Sequence, residues 1–176
     1  PPYILEVNTS PGTEGIEKAT NKNIVKTVLQ YFDNPDVRYT VPSECGYYET
    51  MSIEPFGNLT AKFDTGNYKY PVLHAENVST KNKNVTFDLN GITHTTKLLG
   101  KYVSVTGGGD DERSLIKLDF TFLGTLYKDV EFGLDDRSRM GTEVLFNRDI
   151  MSTMNVIVNP QRKYVVTTKY DPQEEN

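Results

Sequence analysis

The chain has 176 residues, 36% of them apolar and 11% aromatic, with a formal charge of −5 and a pI near 5.1. That composition can fill a core and excludes a disordered chain, and an acidic balance without any Lys/Arg cluster excludes a nucleic-acid surface. A single cysteine, Cys45, excludes a disulfide framework and points to a reducing, cytoplasmic setting, and no apolar run approaches the roughly 20 residues of a membrane span. The chain opens at Pro1 without a methionine or a leader pattern, so a piece of something longer is expected.

In the opening segment, Tyr3 to Asn8 reads as a strand and Thr9-Ser10-Pro11-Gly12 as its turn. Asn23 to Phe32 reads as a helix whose Ile24, Val25, Val28, Leu29 and Phe32 form one apolar stripe. Thr20 or Asn21 is its expected cap, and Asp33-Asn34-Pro35 its stop. Glu6 and Asn8 stand two apart, hence on one face of the strand, as a pair of oxygen ligands for a divalent cation would.

Leu5-Glu6-Val7-Asn8-Thr9-Ser10-Pro11-Gly12, followed by Glu14 to Thr20, resembles the last strand and helix of RimK-like ATP-grasp ligases, which add glutamate to carboxyl termini. The resemblance implies that Glu6 and Asn8 would hold the magnesium that bridges the ATP phosphates. The nucleotide-holding lysines and phosphate loop of such a domain are not in this sequence. ATP and Mg are therefore expected only within an intact, upstream ATP-grasp domain, and residues 1–34 are expected to bind no nucleotide by themselves.

From residue 35 to 170 the helical period gives way to short strands separated by turns, the pattern of a mainly β barrel or sandwich. The expected strands are 49–54, 59–64, 70–77, 85–89, 92–97, 101–105, 115–123, 126–134, 144–146, 156–158 and 163–168. Asn90-Gly91 between two alternating runs marks a tight hairpin. In a longer hairpin Ile116, Leu118, Phe120 and Phe122 alternate, Gly124-Thr125 turns, and Leu126, Val130, Phe132 and Leu134 continue. Residues 171–176 read as a tail without fixed structure.

Three stretches carry chemistry. Leu59, Ala61 and Phe63 alternate into Asp64-Thr65-Gly66, a carboxylate on a rigid strand end beside a small hydroxyl and a glycine, as an aspartic peptidase half-site needs. Gly107-Gly108-Gly109 leads into Asp110-Asp111-Glu112; no helix follows and the flank is acidic, so a mobile hairpin tip over a cleft is expected rather than a phosphate loop. Val144-Leu145-Phe146 runs into Asn147-Arg148 and a short helix, and a buried Arg148 would need a carboxylate partner.

Taken in order, these parts resemble the retropepsin-like fold of retroviral proteases. They are closer to the retropepsin-like family labelled "ATP-dependent zinc protease", whose members accompany RimK-like ligases. The residues concerned are Phe63-Asp64-Thr65-Gly66, Val72 to Ala75, Glu112-Arg113, Phe132 to Met140, Val144-Leu145 and Arg148. The resemblance implies a closed β-barrel with a short C-terminal helix and an aspartic endopeptidase. Because one chain supplies one Asp64, it also implies a homodimer whose two acids share a proton, activate water and receive a peptide substrate. Thr65 would bond across the axis, Gly66 would admit the substrate, and Gly107, Gly108 and Gly109 would form the flap. Where that family has glycine this chain has Asn147, expected to tolerate a positive φ at the corner.

Rival readings draw on other residues. His74 and His94 stand twenty apart without a His-Glu-x-x-His helix, which argues against zinc, so no metal is expected. Cys45 has no basic neighbour in sequence to make it a nucleophile. The remaining alternatives are a catalytically silent peptide-binding or dimerisation module regulating the upstream ligase, and a ligase remnant with no function alone.

Overall fold

The computed structural model describes residues 12–33, 42–106 and 109–170. The expected strand at residues 3–8, with Glu6 and Asn8, and the tail at 171–176 lie outside the described residues, as do Gly107 and Gly108. The chain divides into two compact units, residues 1–41 and 42–176.

The described residues of the first unit form α1 (Glu14–Thr20), in the stretch that carries the ligase resemblance, and α2 (Ile24–Asp33), where the apolar stripe reads as a helix. Thr20 and Asn21 close α1 rather than open α2. Asn21 takes the left-handed conformation that ends a helix, with φ 53°. The cap of α2 is Asn23, whose Oδ1 accepts the Lys26 N–H at 2.7 Å. Glu17 Oε1 adds to it, accepting from the N–H groups of Ile24 (2.8 Å) and Val25 (3.3 Å). Of the stripe expected on α2, Val25, Val28 and Leu29 are each about half exposed.

The second unit is built of β1 (Ser43–Gly46), β2 (Tyr48–Glu54), β3 (Gly57–Phe63), β4 (Val72–His74), β5 (Glu76–Lys81) and β6 (Asn84–Leu89). Then come β7 (Ile92–Lys97), β8 (Gly100–Thr106), β9 (Gly109–Phe122), β10 (Thr125–Asp135), β11 (Val144–Phe146), α3 (Arg148–Thr153) and β12 (Val156–Asn159). The mainly β expectation is met. Six strands hydrogen-bond in the order β10-β4-β11-β3-β2-β9, and a β9–β10 pairing closes them into a ring from which β8 projects.

Alternation dictates the inside of that ring. Met51 and Ile53, Leu59, Ala61 and Phe63, and Ile116, Leu118, Phe120 and Phe122 are all buried, one face of each strand. Phe146 of β11 sits among Phe63, Phe120 and Phe132, with ring centroids 5.1 to 6.1 Å apart, so the end of β3 is clamped by aromatic packing. β11 lies parallel to β3, with Phe146 level with Phe63, and antiparallel to β4 on its other side.

Three expectations need correction. The strand expected over 70–77 is broken: β4 stays in the ring and β5 pairs with β6 and β7 in a separate sheet. Asn77, at φ 52°, takes β5 out of regular extended geometry. The long hairpin turns on Leu123-Gly124 (φ 50° and 77°), not Gly124-Thr125, and a register shift at Asp129 (φ 54°) interrupts the alternation of β10. The strand expected over 163–168 does not form, because its backbone N–H groups have a different acceptor, Glu49, described below. Conversely β1 was not foreseen; it pairs in parallel with β12.

Candidate functional site

Asp64 leaves β3 where the aromatic clamp ends, and its N–H donates to the Phe146 carbonyl at 3.2 Å. Its Oδ1 accepts the Gly66 N–H at 2.8 Å, and its carbonyl accepts the Asn67 N–H at 3.1 Å, so the loop turns tightly around the carboxylate. Gly66 leaves the carboxylate room: a Cβ there would stand 3.1 Å from Oδ1, which would have to shift slightly. Oδ2 faces Lys62 Nζ at 3.7 Å.

The carboxylate opens onto a cleft of about 450 Å³, which Gly66 also lines. Thr65 is exposed and borders a neighbouring groove with Arg148 and Met151 instead. The arms of the β8–β9 hairpin reach the cleft through Tyr102, Ser104 and Arg113. Of the expected flap glycines only Gly109 is described, and it opens β9 at φ 119°. The hairpin is pinned at several points. Lys69 Nζ donates to the Val103 carbonyl, and Tyr70 packs on Tyr102 with ring centroids 4.8 Å apart. Tyr102 in turn lies against the bare backbone of Gly133, where a Cβ would meet its ring within 2.9 Å.

Arg113 ties the base of the hairpin to the ring, bonding Asp111 at 2.8 Å and Asp135 at 2.7 Å. Burial pulls the Arg113 guanidinium toward losing its proton, and the bonds to Asp111 and Asp135 more than offset this, leaving it raised. Burial likewise pushes the Asp135 carboxyl up, against the opposing pull of Arg113. Asp135 is thus engaged by Arg113 and is not a free second acid beside Asp64.

Asn147 departs from expectation. It is extended, with φ −102° and ψ 171°, so no positive φ has to be tolerated. Buried to 2% exposure, its side chain accepts from the Ile150 N–H at 3.2 Å and donates to the Lys69 carbonyl at 2.7 Å. Asn147 therefore caps α3 and fastens the loop that follows Asp64. Arg148 is exposed rather than buried, and among the described residues no carboxylate forms an ion pair with it.

Sequence reasoning missed Glu49 and Arg137. Glu49 is wholly buried in β2 and accepts five bonds: Oε1 from the N–H groups of Gly46 (2.6 Å), Val165 (2.8 Å) and Val166 (3.3 Å), Oε2 from the N–H (3.1 Å) and hydroxyl (2.5 Å) of Thr167. The signal was present, since Glu49 falls in phase with the inward Met51 and Ile53. Arg137 is 7% exposed and lines the Asp64 cleft, bonded through Nε to the Thr142 carbonyl and through Nη2 to its hydroxyl, both at 3.2 Å. Burial pushes its guanidinium down, and the charges of Asp135 and Asp64 offset part of that.

The histidines do not meet. His94 packs edge-on against Phe56, centroids 4.7 Å apart, while His74 lies with Glu76 and Asp136, their ligand atoms within 4.8 Å of one another. His74 Nδ1 accepts the Arg137 backbone N–H at 2.9 Å. A neutral ring so held carries its proton on Nε2, so neither nitrogen offers a free lone pair and the trio does not fit a metal as it stands. Cys45 is fully buried, and burial followed by the Glu49 charge pushes its thiol up from 9.0 to about 12, which suits packing rather than nucleophilic attack.

No known family pattern matches the chain. A stretch of 32 residues is 53% identical to a protein named "Probable alpha-L-glutamate ligase" from Legionella pneumophila, and one of 30 residues is 57% identical to "Probable alpha-L-glutamate ligase 2" from Hahella chejuensis. These matches take in 18% and 17% of this chain and 11% and 10% of the relatives, so the chain spans about a tenth of the length of the curated relatives it matches. The fold is similar to the crystal structure of Lpg0085 from Legionella pneumophila, described as a protein with unknown function (DUF785). That likeness has a TM-score of 0.56 at 21% identity, over 70% of this chain and 97% of that one, and is one of fold. None of these names is that of a peptidase. Among the described residues no helix is long and apolar enough to cross a membrane.

Proposed function

We propose that residues 42–170 form a retropepsin-like half-enzyme, an aspartic peptidase that works as a homodimer on peptides. The observation that carries this reading is the seating of Asp64: a carboxylate at the end of a clamped strand, its Oδ1 held by the Gly66 N–H, opening onto a cleft beneath a two-stranded arm. A second chain would bring the second Asp64. Held within about 3 Å, the two could not both ionise; the charged one would take a proton from water, and the protonated one would steady the oxyanion of the attacked carbonyl. The short likeness to proteins named glutamate ligases makes glutamate-extended peptides the natural substrates to try first.

That same likeness favours a second reading, a silent peptide-binding or dimerisation module attached to an ATP-grasp ligase. One comparison separates the two. Wild type and Asp64→Asn are assayed across pH on a glutamate-extended peptide, with oligomeric state followed by sedimentation. The peptidase reading expects acid-favoured cleavage by a dimer that falls at least 1,000-fold in Asp64→Asn. Peptide binding by both proteins with cleavage by neither would overturn it in favour of the module.

A further inference from the structure

Four cationic side chains line the Asp64 cleft: Lys62, Lys69, Arg113 and Arg137. Three have evident employment within the chain. Lys62 faces Asp64, Lys69 holds the Val103 carbonyl, and Arg113 bridges Asp111 and Asp135. Arg137 differs. It is the most deeply buried of the four, and among the described residues no carboxylate forms an ion pair with it; Thr142, a neutral residue, accepts its two bonds. Asp135, whose field reaches it, is committed to Arg113.

A guanidinium carries five N–H donors in a planar fork, and Thr142 uses Nε and one position on Nη2. No buried side-chain nitrogen of the described residues lacks a partner, so the remaining Arg137 donors are not sealed in the interior; the side chain lines the Asp64 cleft and also a groove shared with His74 and Thr142, and the cleft is the opening that holds Asp64. Removing a charge from water without a counter-ion costs several kcal/mol, so such a group is a poor structural choice and a good receptor. Its fork matches one anion class best, a carboxylate bound through two parallel N–H···O bonds.

We infer that Arg137 is a carboxylate receptor of this cleft, taking an acidic side chain or a chain-terminal carboxylate of the ligand close to Asp64. The inference rests on the reading of the cleft as a peptide site and adds the residue that would select the peptide. Either source of carboxylate presents the same two oxygens, and the choice between them separates a site for internal acidic residues from a site for chain ends.

The test uses the whole chain and three small ligands: N-acetyl-glutamate α-amide, which has a side-chain carboxylate only; N-acetyl-glutamine, which has a terminal carboxylate only; and N-acetyl-glutamine amide, which has neither. The readout is the ¹⁵N-resolved Nε–H signal of Arg137, identified by its loss in Arg137→Lys. A saturable shift with one or both acids and none with the neutral amide is expected, and the acid that moves it names the source. In Arg137→Lys, affinity for that acid should fall at least ten-fold, since a lysine cannot make the forked pair. Equal shifts with all three ligands, or none with any, would overturn the inference, and this arm needs only the wild-type fold. Cleavage of matched Glu and Gln peptides is measured in parallel. An acid-specific shift without cleavage keeps the receptor and removes the peptidase; cleavage indifferent to Glu or Gln, with an unmoved Arg137 signal, does the reverse.

Discussion

Replacing Glu49 by Gln should unfold the ring at a markedly lower temperature, although the two side chains are almost the same shape. The carboxylate meets four backbone donors and one hydroxyl: Gly46, Val165 and Val166 on Oε1, and the N–H and hydroxyl of Thr167 on Oε2. An amide oxygen can keep the first three bonds but without the charge that strengthens them, a loss of about 0.5 to 1 kcal/mol each. The amide nitrogen must take the place of Oε2. There the Thr167 hydroxyl can turn to accept, but the Thr167 N–H faces another donor, and a buried N–H left unmet costs about 1 to 3 kcal/mol. The total is about 2.5 to 6 kcal/mol, or a fall of roughly 10 to 20 °C in Tm for a domain of this size. Urea and thermal unfolding measure it, with Glu54→Gln, exposed at the far end of β2, as a control expected within about 0.5 kcal/mol of wild type. Amide exchange should quicken first at Val165 to Thr167, the segment this carboxylate holds. A Glu49→Gln protein within 1 kcal/mol of wild type would refute the view that the segment is fastened by a buried anion.

Cys45 gives the pH dependence of the same region. The folded thiol keeps its proton to about pH 12, whereas an unfolded one releases it near its ordinary value of 9.0. Its contribution is therefore complete below pH 9 and lost between pH 9 and 12, by about 2 kcal/mol at pH 10.5. Unfolding free energies of wild type and Cys45→Ala from pH 8 to 11 should show that part of the slope vanish in the variant, and a thiol reagent at pH 8 should label wild type only after denaturant is added. Asn147→Gly should destabilise the protein by about 1 to 2 kcal/mol, because the cap on Ile150 and the bond to the Lys69 carbonyl go together. A stabilised Asn147→Gly protein would mean that the corner wants backbone freedom after all.

The strands were legible wherever burial is one-sided. Period-two alternation in β2, β3, β6 and β9 marks their buried faces, and the approximate ends of all but β9, which starts at Gly109 rather than Leu115 because its exposed first half does not alternate; Asn90-Gly91 marks its hairpin, because those signals are local. What escaped the sequence depends on partners far away along the chain. Val165 and Val166 read as strand, yet their N–H groups go to a side chain 116 and 117 residues distant, and no propensity records that. Asn147 reads as a glycine substitute in sequence, whereas its two hydrogen bonds make it a residue in its own right. At the site, Asp64 and Gly66 stood out because strand, acid and glycine are contiguous. Arg137 did not, since nothing in Asp136-Arg137-Ser138 says that one of these charges will be buried and left facing a cleft.

The cleft joins a rigid part to a looser one, and the division follows from what each is made of. Asp64 ends a strand whose neighbours on both sides are ring strands, whose last apolar residue, Phe63, touches Phe146, and whose following loop is fastened by Asn147 to α3. The β8–β9 arm beyond Arg113 is held by less: β8 pairs with β9 alone among the described strands, Lys69 reaches it at the Val103 carbonyl, and the side chains of Val103, Asp110 and Glu112 are exposed. Few buried contacts mean a low free energy of local opening. As the flap of the proposed peptidase, the arm would have to lift while the carboxylate stays in place, with Arg113 and Lys69 holding its base. The proposed peptidase would need that asymmetry, a fixed acid below and a hinged strand pair above, to admit an extended chain and then exclude water, and the aromatic clamp and the Arg113–Asp135 bridge mark where the fixed part ends.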